Sequence, residues 1–189
     1  MYNYPHKNYR PFSAICDCGF GRKIIYTRKR QITWRNIVDE LNKALAIHRQ
    51  NATEIEYLDR YYRGDQPILY RKKVNRPEVN NKIVVNLAYE LVERKTADIC
   101  AEPIQYVLRG TDDKKSDEIS WLNAIMDSEN KQECDIDICR WRSICGTAYR
   151  FIGNDEGNGS VLDESDFELS SENPIYTFVV YFPNNKPAF

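Results

Sequence analysis

The sequence predicts an α+β fold of several helices and short strands. Apolar residues recur at helical spacing in five blocks, and short runs rich in β-branched and aromatic residues lie between and after them. Of the 189 residues, 42% are hydrophobic while only 8 are glycine and 8 are proline, so the chain can bury a core. This length fits one ordinary domain with an arm.

The first 30 residues predict a basic arm. They hold seven Lys or Arg against the single acid Asp17, whereas residues 151–185 hold seven acids and no base. The asymmetry suits head-to-tail contacts between like subunits, with solvated charge on two loops as the plainer alternative. The candidate subunit contacts are Arg28, Lys29, Arg30, Asp163, Glu164 and Asp166.

Two helices are predicted at the start of the domain that follows the arm. Thr33 can cap a helix over 34–50, and a capping box at Thr53 and Glu56 begins a second helix that Gly64 ends. The expected inward positions are Ile37, Leu41, Leu45, His48, Ile55, Leu58 and Tyr62. We expect His48 to be a packed, hydrogen-bonded core residue and not a catalytic base.

Further helices and extended segments are predicted along the rest of the chain. The helices cover about 87–101, 115–128 and about 131–145, with Asn86 and Gly146 at two of their ends. The extended segments are 67–73, 82–85, 104–108, 147–152 and 176–182, with a turn at Pro77. The expected inward positions are Leu87, Leu91, Ile99, Ile119, Leu122, Ile125, Ile138, Trp141 and either Ile144 or Cys145.

No arrangement of residues indicates catalysis, so no catalytic, cofactor-binding or metal-binding residue is assigned. Asp135 and Asp137 could hold Mg²⁺ as in a nuclease, but helical spacing puts them on different faces. The six cysteines lack zinc-finger spacing. The chain shows neither a signal peptide nor an apolar run of membrane-spanning length, so we expect synthesis in a reducing cytoplasm and no membrane partner.

One basic cluster is a candidate for nucleic-acid contact. Its cations are Arg71, Lys72, Lys73 and Arg76, with Tyr70 beside them. A DNA-binding module that uses this cluster and the arm is therefore the main alternative function, and a metal-dependent nuclease is the less favoured one. The sequence shows no known nucleic-acid-binding module beside this cluster. The structural interpretation is therefore that these cations are solvated charges on a strand edge.

An ordered series of motifs over residues 32–182 resembles the N-terminal part of the portal proteins of long-tailed bacteriophages. The series contains a tyrosine-rich helix end with Gly64, then PIL at 67–69, NNKI at 80–83 and EPI at 102–104. GTAY at 146–149, an acidic loop and FVVYF at 178–182 complete it. Ala97 and Ala101 stand where we expect glycine in this family, which bears on local helix packing.

The resemblance implies a portal-like fold and a structural role. Portal subunits form rings, usually of twelve, at one capsid vertex, and double-stranded DNA passes through the ring. The implied partners are the large terminase subunit, the capsid or scaffolding protein and a head-completion (neck) protein. We expect residues 1–30 to form the arm and residues 31–189 a wing-like domain. Because YTFVVYF is followed by a turn without a partner strand, we also expect this domain to be incomplete at its C-terminal end.

Overall fold

The computed structural model describes residues 24–26, 32–110, 113–154, 167–184 and 186–188 and has an α+β fold. Four α-helices dominate it: α1 (Ile37–Tyr62), α2 (Leu87–Cys100), α3 (Asp113–Ser128) and α4 (Lys131–Cys145). The four strands are short: β1 (Ile24–Ile25), β2 (Tyr149–Asn154), β3 (Phe167–Glu172) and β4 (Val180–Tyr181). The predicted fold class is confirmed.

Helix α1 is a single helix of 26 residues, so the prediction of two helices separated at Thr53 is wrong. No glycine or proline interrupts residues 50–53, and the Thr53 hydroxyl donates to the Arg49 carbonyl at 3.0 Å instead of capping a new helix. The helix begins after Asn36, not at Thr33. Its buried stripe is Glu40, Ala44, His48, Ile55 and Asp59.

The predicted inward positions of α1 are partly corrected. Ile37 and Leu41 are exposed, because the stripe runs one residue earlier on the helix, through Glu40 and Ala44. His48 is buried as predicted: its Nε2 lies 2.9 Å from the Ile175 carbonyl oxygen and its ring stacks on Phe178. The hydrogen bond to the Ile175 carbonyl satisfies the ring nitrogen of His48 at this core position.

A small core forms where β1 meets β4. The two strands are parallel, with Ile24 opposite Val180, and Tyr26 N–H donates to the Tyr181 carbonyl at 2.7 Å. Ile24, Tyr26, Ala44 and Val180 are buried together. Residues 24–26, placed in the arm by the sequence, therefore pack against the domain.

The strand predicted over 176–182 is only two residues long, and it does have a partner after the turn. Ala188 N–H donates to the Val180 carbonyl and Phe182 N–H donates to the Lys186 carbonyl, each at 2.7 Å. The expectation that no partner follows is wrong, because residues 186–188 fold back directly.

A hairpin of β2 and β3 packs on α4. Its antiparallel register runs from Tyr149 opposite Glu172 to Asn154 opposite Phe167. Gly146 ends α4 at φ 80°, as predicted, and directs the chain into β2. Strand β3 was not predicted because its alternating pattern, FELSSE, is short and mostly polar. The intervening residues 155–166 lie outside the described chain.

Three predicted extended segments take other conformations. Pro67–Tyr70 is a 3-10 helix, and residues 82–85 and 104–108 belong to no strand. The turn at Pro77 is confirmed, since Val79 N–H donates to the Arg76 carbonyl at 3.1 Å. Short β-branched runs form strands only where a neighbouring strand supplies hydrogen bonds, and neither segment has one among the described residues.

The inward face of α2 differs from the predicted one. Leu87, Leu91 and Ile99 are exposed, whereas Thr96 is buried. The prediction of these three positions is wrong. In α3 and α4, Ile125 and Cys145 are buried, and the other predicted positions, Ile119, Leu122, Ile138, Trp141 and Ile144, are half-buried.

Candidate assembly surface

A polar network joins α1, α2 and α4 and holds their relative positions. The Tyr62 hydroxyl donates to Glu93 Oε1 at 2.5 Å, and Arg140 Nε donates to the same oxygen at 3.1 Å. Arg140 also donates to Asp137 Oδ1 at 2.7 Å. Burial and then the hydrogen bond to Glu93 raise the pKa of Tyr62 to about 12, while the hydrogen bonds from Tyr62 and Arg140 lower the pKa of Glu93.

The end of α1 is tied to the 3-10 helix by three side chains. The Tyr70 hydroxyl donates to Asp65 Oδ1 at 2.5 Å, and Arg60 Nε donates to Asp65 Oδ2 at 2.7 Å. These two bonds, that of Tyr70 first, lower the pKa of Asp65. The Tyr70 hydroxyl therefore already has a hydrogen-bond partner in Asp65. The loop that follows begins directly after Tyr70.

The four cations that the sequence nominates for DNA contact share one loop. They are the exposed side chains Arg71, Lys72, Lys73 and Arg76. We call residues 71–82 the basic loop. Its turn places Arg76 at φ 54° just before Pro77, and Lys73 Nζ donates to the Val79 carbonyl at 2.9 Å.

Two further contacts hold the basic loop against the 3-10 helix. Lys82 Nζ donates to the Leu69 carbonyl at 2.5 Å, and Asn80 Nδ2 donates to the Arg71 carbonyl at 3.5 Å. Within the described part of the chain, three cations of the loop make no ion pair or side-chain hydrogen bond. They are Arg71, Lys72 and Arg76. The loop thus presents three cations with no partner among the residues that the structure describes.

Four aliphatic side chains directly after the basic loop are uncovered. They are Ile83, Val85, Leu87 and Leu91, which are 58% to 71% exposed. Between them, Asn86 caps α2 as predicted: its Oδ1 accepts from Tyr89 N–H at 3.2 Å, and its Nδ2 donates to the Tyr62 carbonyl at 2.8 Å. Exposed aliphatic side chains this close together in the chain are a candidate interaction site. We call the basic loop with these four side chains the assembly surface.

The sequence predicted that Leu87 and Leu91 of this surface face the core. The sequence does contain a second inward pattern on α2, at Ala88, Val92 and Thr96, which are spaced four residues apart like Leu87 and Leu91. The charged residues Arg94 and Asp98 lie near the Leu87 side of the helix, which indicates that this side faces outward. That charge pattern could have identified the exposed leucines.

The two acids considered for a nuclease site bind different cations. Asp135 accepts hydrogen bonds from the buried Lys131 at 2.6 Å and from Arg150, and these bonds lower its pKa despite the opposing effect of burial. Asp137 pairs with Arg140 instead. Across the described ranges, no group of three or more His, Cys, Asp or Glu is placed to hold a metal ion.

The cysteines that the structure describes are free thiols. Cys134 and Cys145 are buried, and Cys100 and Cys139 are half-buried. Burial and the hydrogen bond to Cys139 raise the pKa of Cys100 to about 11. Such a thiol is a poor nucleophile near neutral pH.

The remaining nominated residues lie outside the described chain. They are the arm cations Arg28, Lys29 and Arg30 and the acids Asp163, Glu164 and Asp166. Their proposed contact stays a prediction. Among the helices that the structure describes, none combines the length and apolar character that crossing a membrane requires.

Comparison with known families identifies the family of this chain. A family model described as "Phage portal protein, SPP1 Gp6-like" matches residues 41–189, about four fifths of the chain. The matched range includes α1 from Leu41 onward, the basic loop, α2 and the strands β2, β3 and β4. Strand β1 lies before it. A comparison with curated proteins gave no match. The chain therefore belongs to the SPP1 Gp6-like family of phage portal proteins.

Proposed function

We propose that this chain is a structural subunit of a ring at one vertex of a phage capsid, the head–tail connector through which DNA is packaged and ejected. The family match over residues 41–189 carries the portal role. The assembly surface supports the ring, because a single subunit leaves its aliphatic side chains and three cations uncovered. A ring requires head-to-tail interfaces, in which each subunit offers one surface and receives another.

The proposed subunit has a basic arm over residues 1–30, of which residues 24–26 pack against the domain, and a wing-like domain over residues 31–189. Its partners are other copies of the chain, usually twelve in a ring. Further partners are the large terminase subunit, a capsid or scaffolding protein and a neck protein. The subunit performs no catalysis itself in this proposal, and DNA translocation is driven by the terminase.

Imaging of the purified chain tests the ring. We expect negative-stain electron microscopy to show closed annular particles with one predominant rotational symmetry. Replacing Leu87 and Leu91 by Ser removes apolar contact area without touching the buried face of α2, so we expect fewer annular particles. Particles that never exceed the size of a monomer or a two-fold dimer would contradict the proposal.

One observation favours the DNA-binding alternative: Arg71, Lys72 and Arg76 are exposed, and they have no partner within the described residues. A DNA-binding module would bind short double-stranded DNA as a monomer, with affinity that falls steeply as salt rises. We expect weak binding or none, measured by fluorescence anisotropy. Tight, salt-dependent binding that reversal of these three cations abolishes would favour the alternative.

A further inference from the structure

We propose that the segment Lys82–Val85 of one subunit pairs strand to strand with the segment Ile104–Leu108 of a second copy of this chain. The inference rests on the proposed ring, and it names the two surfaces that would meet. Both segments consist largely of β-branched and aromatic residues, yet neither belongs to a strand within the subunit.

The segment Ile104–Leu108 already has strand-like pairing on one side. Asn123 Oδ1 accepts from Tyr106 N–H at 3.0 Å, and Asn123 Nδ2 donates to the Tyr106 carbonyl at 3.1 Å. One side-chain amide thus makes both bonds that a residue of a neighbouring antiparallel strand would make. Because backbone groups alternate in direction along extended chain, those of Gln105 and Val107 face the other way.

That second edge has no partner among the residues that the structure describes. The backbone groups of Gln105 and Val107 make no hydrogen bond to any described residue, and the Val107 side chain is 79% exposed. An exposed edge with free backbone donors and acceptors is a template for pairing with another chain. The edge therefore accepts one additional extended segment.

The segment Lys82–Val85 offers the complementary backbone groups. The N–H and C=O groups of Lys82, Ile83 and Val84 make no hydrogen bond within the described chain. Ile83 and Val85 are exposed, and the segment is anchored at each end. Lys82 bonds the Leu69 carbonyl, and Asn86 bonds the Tyr62 carbonyl. A segment held at both ends loses little further conformational freedom on pairing.

The two segments lie at opposite ends of α2. Its 14 residues span about 21 Å, so the ends of α2 are far apart compared with the spacing of about 4.8 Å between paired strands. Asn86 is beside Tyr62 at the end of α1, whereas Tyr106 is beside Asn123 of α3 and the Lys131 side chain. No backbone hydrogen bond joins the two segments within the described chain. Two different, complementary edges at opposite ends of one subunit fit a head-to-tail contact.

The surroundings of the two segments carry different charge. The first segment follows the basic loop, whereas the exposed acid Glu102 precedes the second segment, the exposed acid Asp127 lies on α3, and the exposed cation Arg109 follows the second segment. A cavity of about 250 Å³ next to the second segment is lined mainly by polar side chains such as Gln105, Ser120 and Asn123, with Ile104 and Met126 as apolar ones. We expect the basic loop to approach the two acids.

A proline at the free edge tests the backbone bonds. Val107→Pro removes the outward N–H, whereas Val107→Ala keeps it and removes most of the side chain. Loss of one interface hydrogen bond costs about fivefold in affinity, so we expect Val107→Pro to raise the concentration for half-assembly by at least about fivefold and Val107→Ala to raise it less. Thermal unfolding of both variants checks that the subunit still folds.

Photo-crosslinking tests the partner segment directly. Benzoylphenylalanine at position 83 is irradiated in a mixture with ¹⁵N-labelled wild-type chain, and mass spectrometry identifies the labelled peptide. We expect labelled peptides from residues 103–109. This pairing would be overturned if Val107→Pro forms rings normally and position 83 crosslinks to other residues. The proposal of a ring would then still stand. A wild-type chain that never assembles would overturn the ring and the pairing together.

Discussion

Among single residues, Tyr62 has the hydroxyl whose effect on the free energy of unfolding is clearest. It donates to Glu93 within the network that joins α1, α2 and α4. Tyr62→Phe removes this bond, and we expect it to lower the free energy of unfolding by about 1 kcal/mol at neutral pH. Urea denaturation measures the loss. Tyr61→Phe, one residue earlier on α1, is the matched control and should change stability less.

The same hydroxyl predicts a loss of stability at high pH. The pKa of Tyr62 is about 12 in the folded protein, whereas an unfolded tyrosine titrates near pH 10. The folded state then holds a proton that the unfolded state has released, so this contribution is complete below pH 10 and is lost as pH rises towards 12. We expect the stability gap between wild type and Tyr62→Phe to shrink over that range. A constant gap would contradict the assignment.

At this scale the sequence predicted residues whose partners are close in the chain. Asn86 was predictable as a cap because it needs only the N–H of Tyr89. The partner of His48, the Ile175 carbonyl, is 127 positions away, so only its burial could be expected. Lys131 and Glu40 were not predicted as buried, although their ion-pair partners Asp135 and Lys43 lie within four residues, because which face of a helix is covered depends on the packing of whole elements.

At the scale of elements, Gly146 determines how α4 ends. Its φ is 80°, and a Cβ added there would meet no atom within 4 Å, so substitution strains only the backbone. We expect Gly146→Ala to cost about 1 to 2 kcal/mol. Asn tolerates this conformation better, so Gly146→Asn should cost less. Equal thermal stability of the two variants would show that the turn relaxes.

Asn123 connects α3 to the segment Ile104–Leu108 and makes a second element-scale prediction. Asn123→Leu removes both bonds to Tyr106, whereas Asn123→Asp keeps an acceptor for its N–H. We expect Asn123→Leu to speed hydrogen exchange of the Tyr106 amide by about tenfold. Asn123→Asp should retain most of the protection. Identical exchange in both variants would mean that the amide does not hold this segment.

Helix positions were the most predictable elements, and strands the least. Periodic segments such as α3 and α4 lie close to their predicted positions, because their apolar spacing is local. The predicted strands at 82–85 and 104–108 have suitable composition but no neighbouring strand. A strand requires a partner, and the sequence of one segment does not say where that partner is.

At the scale of the whole molecule, the charge asymmetry predicts an assembly that depends on salt. Replacing Arg28, Lys29 and Arg30 by Glu should weaken assembly at low salt and matter less at high salt, where exposed charges are screened. Native mass spectrometry measures the oligomer distribution. Reversing Asp163, Glu164 and Asp166 to Lys in the same chain should restore assembly. An unchanged distribution in the arm variant would exclude this contact.

The assembly surface shows where inference from a single sequence stops. The sequence predicts that Leu87 and Leu91 enter the core of their own subunit, and this prediction is wrong because both are exposed, as are Ile83 and Val85. Apolar spacing alone does not say whether a face is covered, or by which chain. The resemblance identified the family, which the match over residues 41–189 confirms, and the structure shows which apolar face the subunit leaves uncovered.

The central claim is that copies of this chain close into a ring through different surfaces. Native mass spectrometry of the purified 189-residue chain, recorded over a dilution series, tests it most directly. We predict one predominant closed species, with the twelve copies that are usual for portal rings. It should dissociate on dilution, and no stable dimer should form. A monomer at every concentration, or a dimer that does not grow, would contradict the claim.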